Sequence, residues 1–141
     1  MNNVKWFPEW NSPALAIAPG GGMNSQIYLV RPDTTAMRRL TLGGKDNNWL
    51  GRWTEDGSRF SVSSTRRTPD CMDGYLVNPD SGELQLIEKN EGIGGILNVS
   101  DDNRRAVVSR MRSRSSNDLY LLELSGNNEV ILTPHEGPRP V

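Results

Sequence analysis

Gly74-Tyr75-Leu76-Val77-Asn78-Pro79-Asp80-Ser81-Gly82-Glu83-Leu84-Gln85-Leu86-Ile87-Glu88 is the stretch that decides the fold. An apolar run through Tyr75, Leu76 and Val77 meets a segment of Asn, Pro, Asp, Ser and Gly, and a second partly apolar run follows. Those intervening residues favour hairpin turns, so the stretch reads as two antiparallel strands. The same arrangement recurs on both sides. Ile27-Tyr28-Leu29-Val30 and Leu119-Tyr120-Leu121-Leu122 place tyrosines 47 residues before and 45 residues after Tyr75. The second runs, Met37-Arg38-Arg39-Leu40-Thr41, Leu84 to Glu88 and Val130-Ile131-Leu132-Thr133, keep the same spacing. Between them lie Arg31-Pro32-Asp33-Thr34 and Ser125-Gly126-Asn127-Asn128, again turn-forming.

Upstream of each tyrosine a third element aligns: Leu15-Ala16-Ile17, Phe60-Ser61-Val62 and Ala106-Val107-Val108. The first two alternate large and small residues at period two, as a strand does. Before them, Trp53-Thr54-Glu55-Asp56-Gly57-Ser58 and Val99-Ser100-Asp101-Asp102-Asn103-Arg104 read as a strand end entering a tight turn, with Trp10-Asn11-Ser12-Pro13 the corresponding piece of the first repeat. Four strands in a unit of about 45 residues is the arithmetic of a β-propeller blade. The expected fold is therefore all-β: three four-stranded antiparallel blades, about 5–44, 47–90 and 93–136, forming one partial propeller over residues 1–141. No amphipathic stretches of the length a βαβ reading requires intervene. A β-sandwich is the structural alternative, although its strands need not repeat at equal spacing.

Composition agrees. Of 141 residues, 35% are hydrophobic while 14 are glycine and 9 proline, which favours short strands and many turns over long helices. The formal net charge of −1 supplies no general attraction for nucleic acid or an anionic membrane, so neither is expected as a partner. The longest apolar runs are too short to span a bilayer, and no signal-peptide core follows the first residues. Cys71 stands alone, so no disulfide forms within the chain, and a cytoplasmic location is expected.

Trp53 to Phe60, then Ser64-Thr65-Arg66, then Gly74 to Asp80 resemble the TolB-like six-bladed propeller repeat, which is also similar to the propeller of prolyl oligopeptidase-family serine peptidases. The third repeat departs by Val99 in place of tryptophan and Asn103 in place of glycine. Leu132-Thr133-Pro134-His135-Glu136-Gly137 resembles the blade junctions of those peptidases. The resemblance implies a propeller that is itself non-catalytic and that, in the peptidases, gates access to a separate α/β-hydrolase domain. No Gly-x-Ser-x-Gly nucleophile elbow occurs, and His135 is the one histidine. No catalytic residue, metal or cofactor is expected.

Three blades of a six-bladed ring sweep half a circle and leave two apolar blade faces uncovered. A two-fold axis along the channel would set the first blade of one chain against the third of another, so a homodimer is the expected assembly. The alternatives are a truncated propeller of a peptidase, favoured by the tail Gly137-Pro138-Arg139-Pro140-Val141, and a scaffold for a peptide or protein.

The loops between second and third strands, Ala18 to Gln26, Thr65 to Asp73 and Arg110 to Asn117, are expected on one face. That face gathers Arg66, Arg67, Arg110, Arg112 and Arg114 as candidate ligand-binding residues, since guanidinium forks suit carboxylates and phosphates, and Arg110, Arg112 and Arg114 also alternate as at the end of a strand, which would put their side chains on one face. Pairing with Asp70, Asp73 or Asp118 competes with that role. Asp56, Asp101 and Asp102 suit tight turns rather than a calcium loop, and Gly20-Gly21-Gly22 lacks the lysine of a phosphate cradle. Trp6, Phe7, Trp10, Trp49 and Trp53 are expected to pack between blades, with Trp49 and Trp53 on one side of a strand.

Overall fold

The computed structural model describes residues 3–6, 13–18, 24–30, 36–41, 45–113, 116–126 and 128–133. The expectations for Trp10 to Ser12, Gly20 to Gly22, Arg31 to Thr34, Arg114, His135 and the tail fall outside these residues. Twelve strands are found among them: β1 Asn3–Trp6, β2 Pro13–Ile17, β3 Gln26–Val30, β4 Met37–Arg39, β5 Asn48–Trp53, β6 Phe60–Ser64, β7 Asp73–Val77, β8 Leu84–Glu88, β9 Gly94–Val99, β10 Arg105–Ser113, β11 Ser116–Glu123 and β12 Glu129–Ile131. They form three antiparallel sheets in simple sequence order, β1-β2-β3-β4, β5-β6-β7-β8 and β9-β10-β11-β12. No helix among the described residues is long and apolar enough to cross a membrane.

The repeat is exact at the level of register. Tyr28 lies opposite Leu15, Tyr75 opposite Val62 and Tyr120 opposite Val108, each tyrosine on the third strand of its sheet. The first strand of each later sheet packs on the one before it: β5 on β1, β2 and β3, and β9 on β5, β6 and β7. Such stacking is what covers both faces of an apolar strand. Two cores result. Ala14, Ala16 and Ile27 meet Phe60, Val62 and Val77 between the first and second sheets, with Leu50 and Trp53 against them. Ala106, Val108, Tyr120 and Leu122 form the second core, joined by Ile87 from the second sheet.

The seam residues explain where side chains had to be small. A Cβ on Gly95 would lie 2.6 Å from Ser63 Oγ, and one on Gly74 would lie 2.9 Å from Ile96 Cγ1, so these two glycines set how closely the second and third sheets approach.

The expectation that Trp49 and Trp53 share a side is corrected by a β-bulge. Leu50 pairs with Val62 but Trp53 pairs with Phe60, so β5 carries one residue more than β6 across this interval. The extra residue reverses the alternation. Trp53 turns onto Phe60, with ring centroids 4.7 Å apart, whereas Trp49 stands exposed. Ser61 holds the bulge by accepting the Arg52 N–H at 2.9 Å, and a Cβ at Gly51 would collide with that hydroxyl. A matching irregularity sits in β9, where Val107 and Val108 pair with Asn98 and Ile96.

The tight turns repeat as well. Gly57 at φ 72° and Asn103 at φ 59° occupy equivalent left-handed positions, a region that glycine and asparagine tolerate best. Asp56 accepts the Ser58 N–H at 3.0 Å and the Thr54 hydroxyl at 2.8 Å, and Asp102 accepts the Arg104 N–H at 3.0 Å. Asn103 Nδ2 donates to Asp56 at 2.6 Å and ties the third-sheet turn to the second-sheet turn. The Ser58 backbone N–H, ahead of the Thr54 and Ser58 hydroxyls, lowers the Asp56 pKa to about 2. Because the folded value lies below that of the unfolded chain, this stabilisation is complete above about pH 4 and is lost as pH falls through about 2. A carboxyl titration followed by NMR is expected to put the Asp56 midpoint near the lower value, and an ordinary aspartate midpoint would contradict the turn geometry.

Candidate functional site

The arginines expected on one loop face are divided among different tasks. Arg67, in the loop between β6 and β7, donates from Nε to Asp73 Oδ2 at 2.6 Å, and from its terminal nitrogen to Asp73 Oδ1 at 3.1 Å and the Asn90 carbonyl at 2.8 Å. Asp73 is fully buried and also accepts the Asn90 N–H at 2.8 Å. The hydrogen bond to Asp73 raises the Arg67 pKa further above its ordinary value. Arg67 thus ties the β6–β7 loop to the crossover into the third sheet.

Arg110 lies on strand β10, opposite Asp118 and Gly94, and not in a loop. β10 and β11 extend toward each other as far as Ser113 and Ser116, which shortens the connection that sequence alone suggested. The Arg110 guanidinium donates from Nε to Glu88 Oε1 at 2.5 Å and from a terminal nitrogen to Glu88 Oε2 at 3.1 Å. It also reaches Glu129 Oε2 at 2.7 Å and lies 4.1 Å from the centroid of the Tyr120 ring. The hydrogen bonds it donates to Glu88, then to Glu129, raise its pKa well above the ordinary value, and the same contact with Arg110 lowers that of Glu129.

Arg66 is exposed, with its guanidinium 5.7 Å from the centroid of the Tyr75 ring. Arg112 is placed by its backbone on β10, at the irregularity between Met111 and Ser113. Of the candidate arginines with described side chains, Arg66 is therefore the one whose guanidinium has no carboxylate partner among the described residues.

Sequence reasoning missed Glu88, yet the repeats held a signal. Thr41 and Thr133 occupy the matching place in the other sheets, and each closes the end of its own sheet. Thr41 Oγ1 accepts the Ile27 N–H at 3.1 Å, and Thr133 Oγ1 accepts the Leu119 N–H at 3.0 Å. In the second sheet an irregularity between Gly74 and Tyr75 shifts β8, and the glutamate there reaches across to the third sheet instead. Arg110 stands where the other sheets have Ile17 and Ser64, a place at which the repeat keeps no residue type. The departure at Glu88 meets it in space as an ion pair.

Beside this pair opens a cleft of about 420 Å³ between the outer strand of the second sheet and the β11–β12 turn. Gln85, Glu88, Arg110, Glu123, Gly126 and Glu129 are among its lining residues. It is polar, and among the described residues no group of three or more His, Cys, Asp or Glu is arranged to hold a metal ion.

No protein-family model and no curated protein matches the sequence. Solved structures do match. TolB from Acinetobacter baumannii superposes with a TM-score of 0.64 at 21% identity, over 93% of this chain and 32% of that one. The fold is that of a TolB-like β-propeller. The propeller domain of the Trilobed protease from Pyrococcus furiosus gives a TM-score of 0.68 at 15% identity, covering 93% of this chain and 42% of that chain. A structure described as one of two prolyl endopeptidases gives 0.67 at 16% identity, covering 96% and 22%. The three sheets are thus propeller blades, as the repeat predicts, and the chain spans less than half the length of each of these structures.

Proposed function

We propose that this chain is a non-catalytic propeller module that binds and assembles, closing a six-bladed ring with a second copy of itself. One observation supports the reading. Val62 and Val77 in the second blade, and Val108, Tyr120 and Leu122 in the third, are buried in the cores between blades, and Tyr75 is buried at the same register. Their first-blade equivalents Leu15, Tyr28 and Val30 are only half-buried, and Met37 is 52% exposed. At the other end Val107, Leu119 and Leu121 are half-buried, while Val130 is 58% and Leu132 46% exposed. The first end face carries the same residue types at the same register as the covered faces of the second and third blades, while the other end is apolar at Val107, Leu119 and Leu121 where the covered faces hold Ala14 or Ser61, Ile27 or Gly74, and Leu29 or Leu76. Pairing the two ends twice about a two-fold axis along the channel repeats the internal seam.

Light scattering on the purified chain at micromolar concentration is expected to give twice the 15.7 kDa chain mass. Leu15→Asp, which sets a charge on the first end face, is expected to return the monomer. A wild-type chain that is monomeric throughout overturns the proposal. The likeness to a prolyl endopeptidase supports a second reading, in which further blades of a peptidase cover the same faces and the propeller gates substrate. In that case the isolated chain self-associates without a defined stoichiometry.

A further inference from the structure

The cleft between the second and third blades has a filled counterpart between the first and second. There Arg38, on β4, donates to the Asp80 carbonyl at 2.9 Å and to the Ser81 carbonyl at 3.0 Å in the β7–β8 turn of the next blade. Its terminal nitrogen lies 3.1 Å from where a Cβ would stand on Gly82, so the guanidinium lies directly against that turn.

The second and third blades share the same frame. Val77 to Leu84 and Leu122 to Glu129 each close a pair across a six-residue turn, and the two turns share one closing bond: Asn78 N–H to the Glu83 carbonyl, and Glu123 N–H to the Asn128 carbonyl, both at 3.0 Å. Counted from these pairs, Ser125 and Gly126 correspond to Asp80 and Ser81. No described residue donates to their carbonyls, and Gly126 lines the cleft.

What differs is the residue that should fill the space. Gln85 stands in the place of Arg38, on the fourth strand opposite Leu76 as Arg38 is opposite Leu29. It is shorter, and its Oε1 is held by Arg59 within its own blade at 2.8 Å. The groove therefore stays open, rimmed by Glu123 and Glu129. Glu88 and Glu129 are both already matched to Arg110, which leaves Glu123 as the lining carboxylate without a cation partner among the described residues. At about 420 Å³ it falls within the range of small-ligand sites.

We infer that this cleft takes an arginine side chain of a peptide or protein partner, whose guanidinium donates to the β11–β12 turn as Arg38 donates to the β7–β8 turn. The cleft is lined by three carboxylates, Glu88, Glu123 and Glu129, against two cations, Lys89 and Arg110, so its balance favours a further cation, and the planar fork suits adjacent carbonyls better than an ammonium does. The site lies within one chain, so it is independent of how the ring closes.

The test is a titration of the isotope-labelled chain with N-acetyl-arginine amide, read from backbone amide shifts, with the neutral isostere N-acetyl-citrulline amide in parallel. Saturable shifts at Gln85, Gly126 and Asn128 are expected with the arginine compound, and at least tenfold weaker binding with citrulline. Gln85→Arg, which supplies the missing side chain from within, is expected to abolish those shifts while leaving the spectrum folded. Absence of saturable shifts up to tens of millimolar, equal response to citrulline, or unchanged binding by Gln85→Arg each overturns the assignment.

Discussion

Phe60→Ala is expected to lower the unfolding free energy by about 3–5 kcal/mol, the range for emptying a buried aromatic site. Phe60 is 1% exposed and heads the fully buried side chains by volume. It opens β6 opposite both Trp53 and Val77, so its ring is clasped by the strands on either side and faces Ala14, Ala16 and Ile27 of the first blade. The small alanines there leave the room that the ring fills. The Trp53 ring, tilted by 51° against it, cannot advance into the void, because the bulge at Gly51 and Arg52 fixes the end of β5. A domain of this size has a total stability of about 5–15 kcal/mol, so the loss is a large fraction of it. Urea unfolding followed by tryptophan fluorescence measures it directly. A midpoint shift worth less than about 1 kcal/mol would show that the first seam does not hold the fold together.

How much of this was legible beforehand follows from the range of the interactions involved. Strands, turns and blade order were readable because they depend on neighbours in sequence: period-two apolar residues around Tyr28, Tyr75 and Tyr120, and turn formers after each. Asn103 in the place of Gly57 was visible as a departure, and its left-handed φ gives the reason. The bulge in β5 was not readable, since a single extra residue leaves no mark on the apolar pattern of Trp49 to Trp53 but reverses which side each ring faces. The arginines were legible in part. Pairing with Asp73 is among the sequence's own expectations and is what Arg67 does, whereas the partner of Arg110, Glu88 from the previous blade, is brought near only by folding. Comparing repeats position by position would have marked Glu88, which stands where both other blades have threonine, but not Arg110, whose counterparts Ile17 and Ser64 already differ from each other.

The two seams are consequently built on opposite principles, aromatic between the first and second blades and ionic between the second and third, and the ionic one carries the sharper prediction. Arg110→Ala is expected to cost about 3–5 kcal/mol, because it strands a carboxylate that is 1% exposed with no other cation in hydrogen-bonding reach among the described residues. Glu88→Ala is expected to cost less, since Arg110 is a quarter exposed and keeps Glu129 and the face of Tyr120. The pair as a whole contributes little beyond what its desolvation takes away, as is common for buried ion pairs. Replacing both partners with the types that other blades use, Glu88→Thr with Arg110→Ser, is therefore expected to recover most of the loss seen in Arg110→Ala. A double-mutant cycle by chemical denaturation gives the coupling energy. If Arg110→Ala stays within about 1 kcal/mol of the wild type, or if the double variant is no more stable than the single one, the seam is held by Ile87, Ile96 and Leu122 alone and the ion pair is incidental to it.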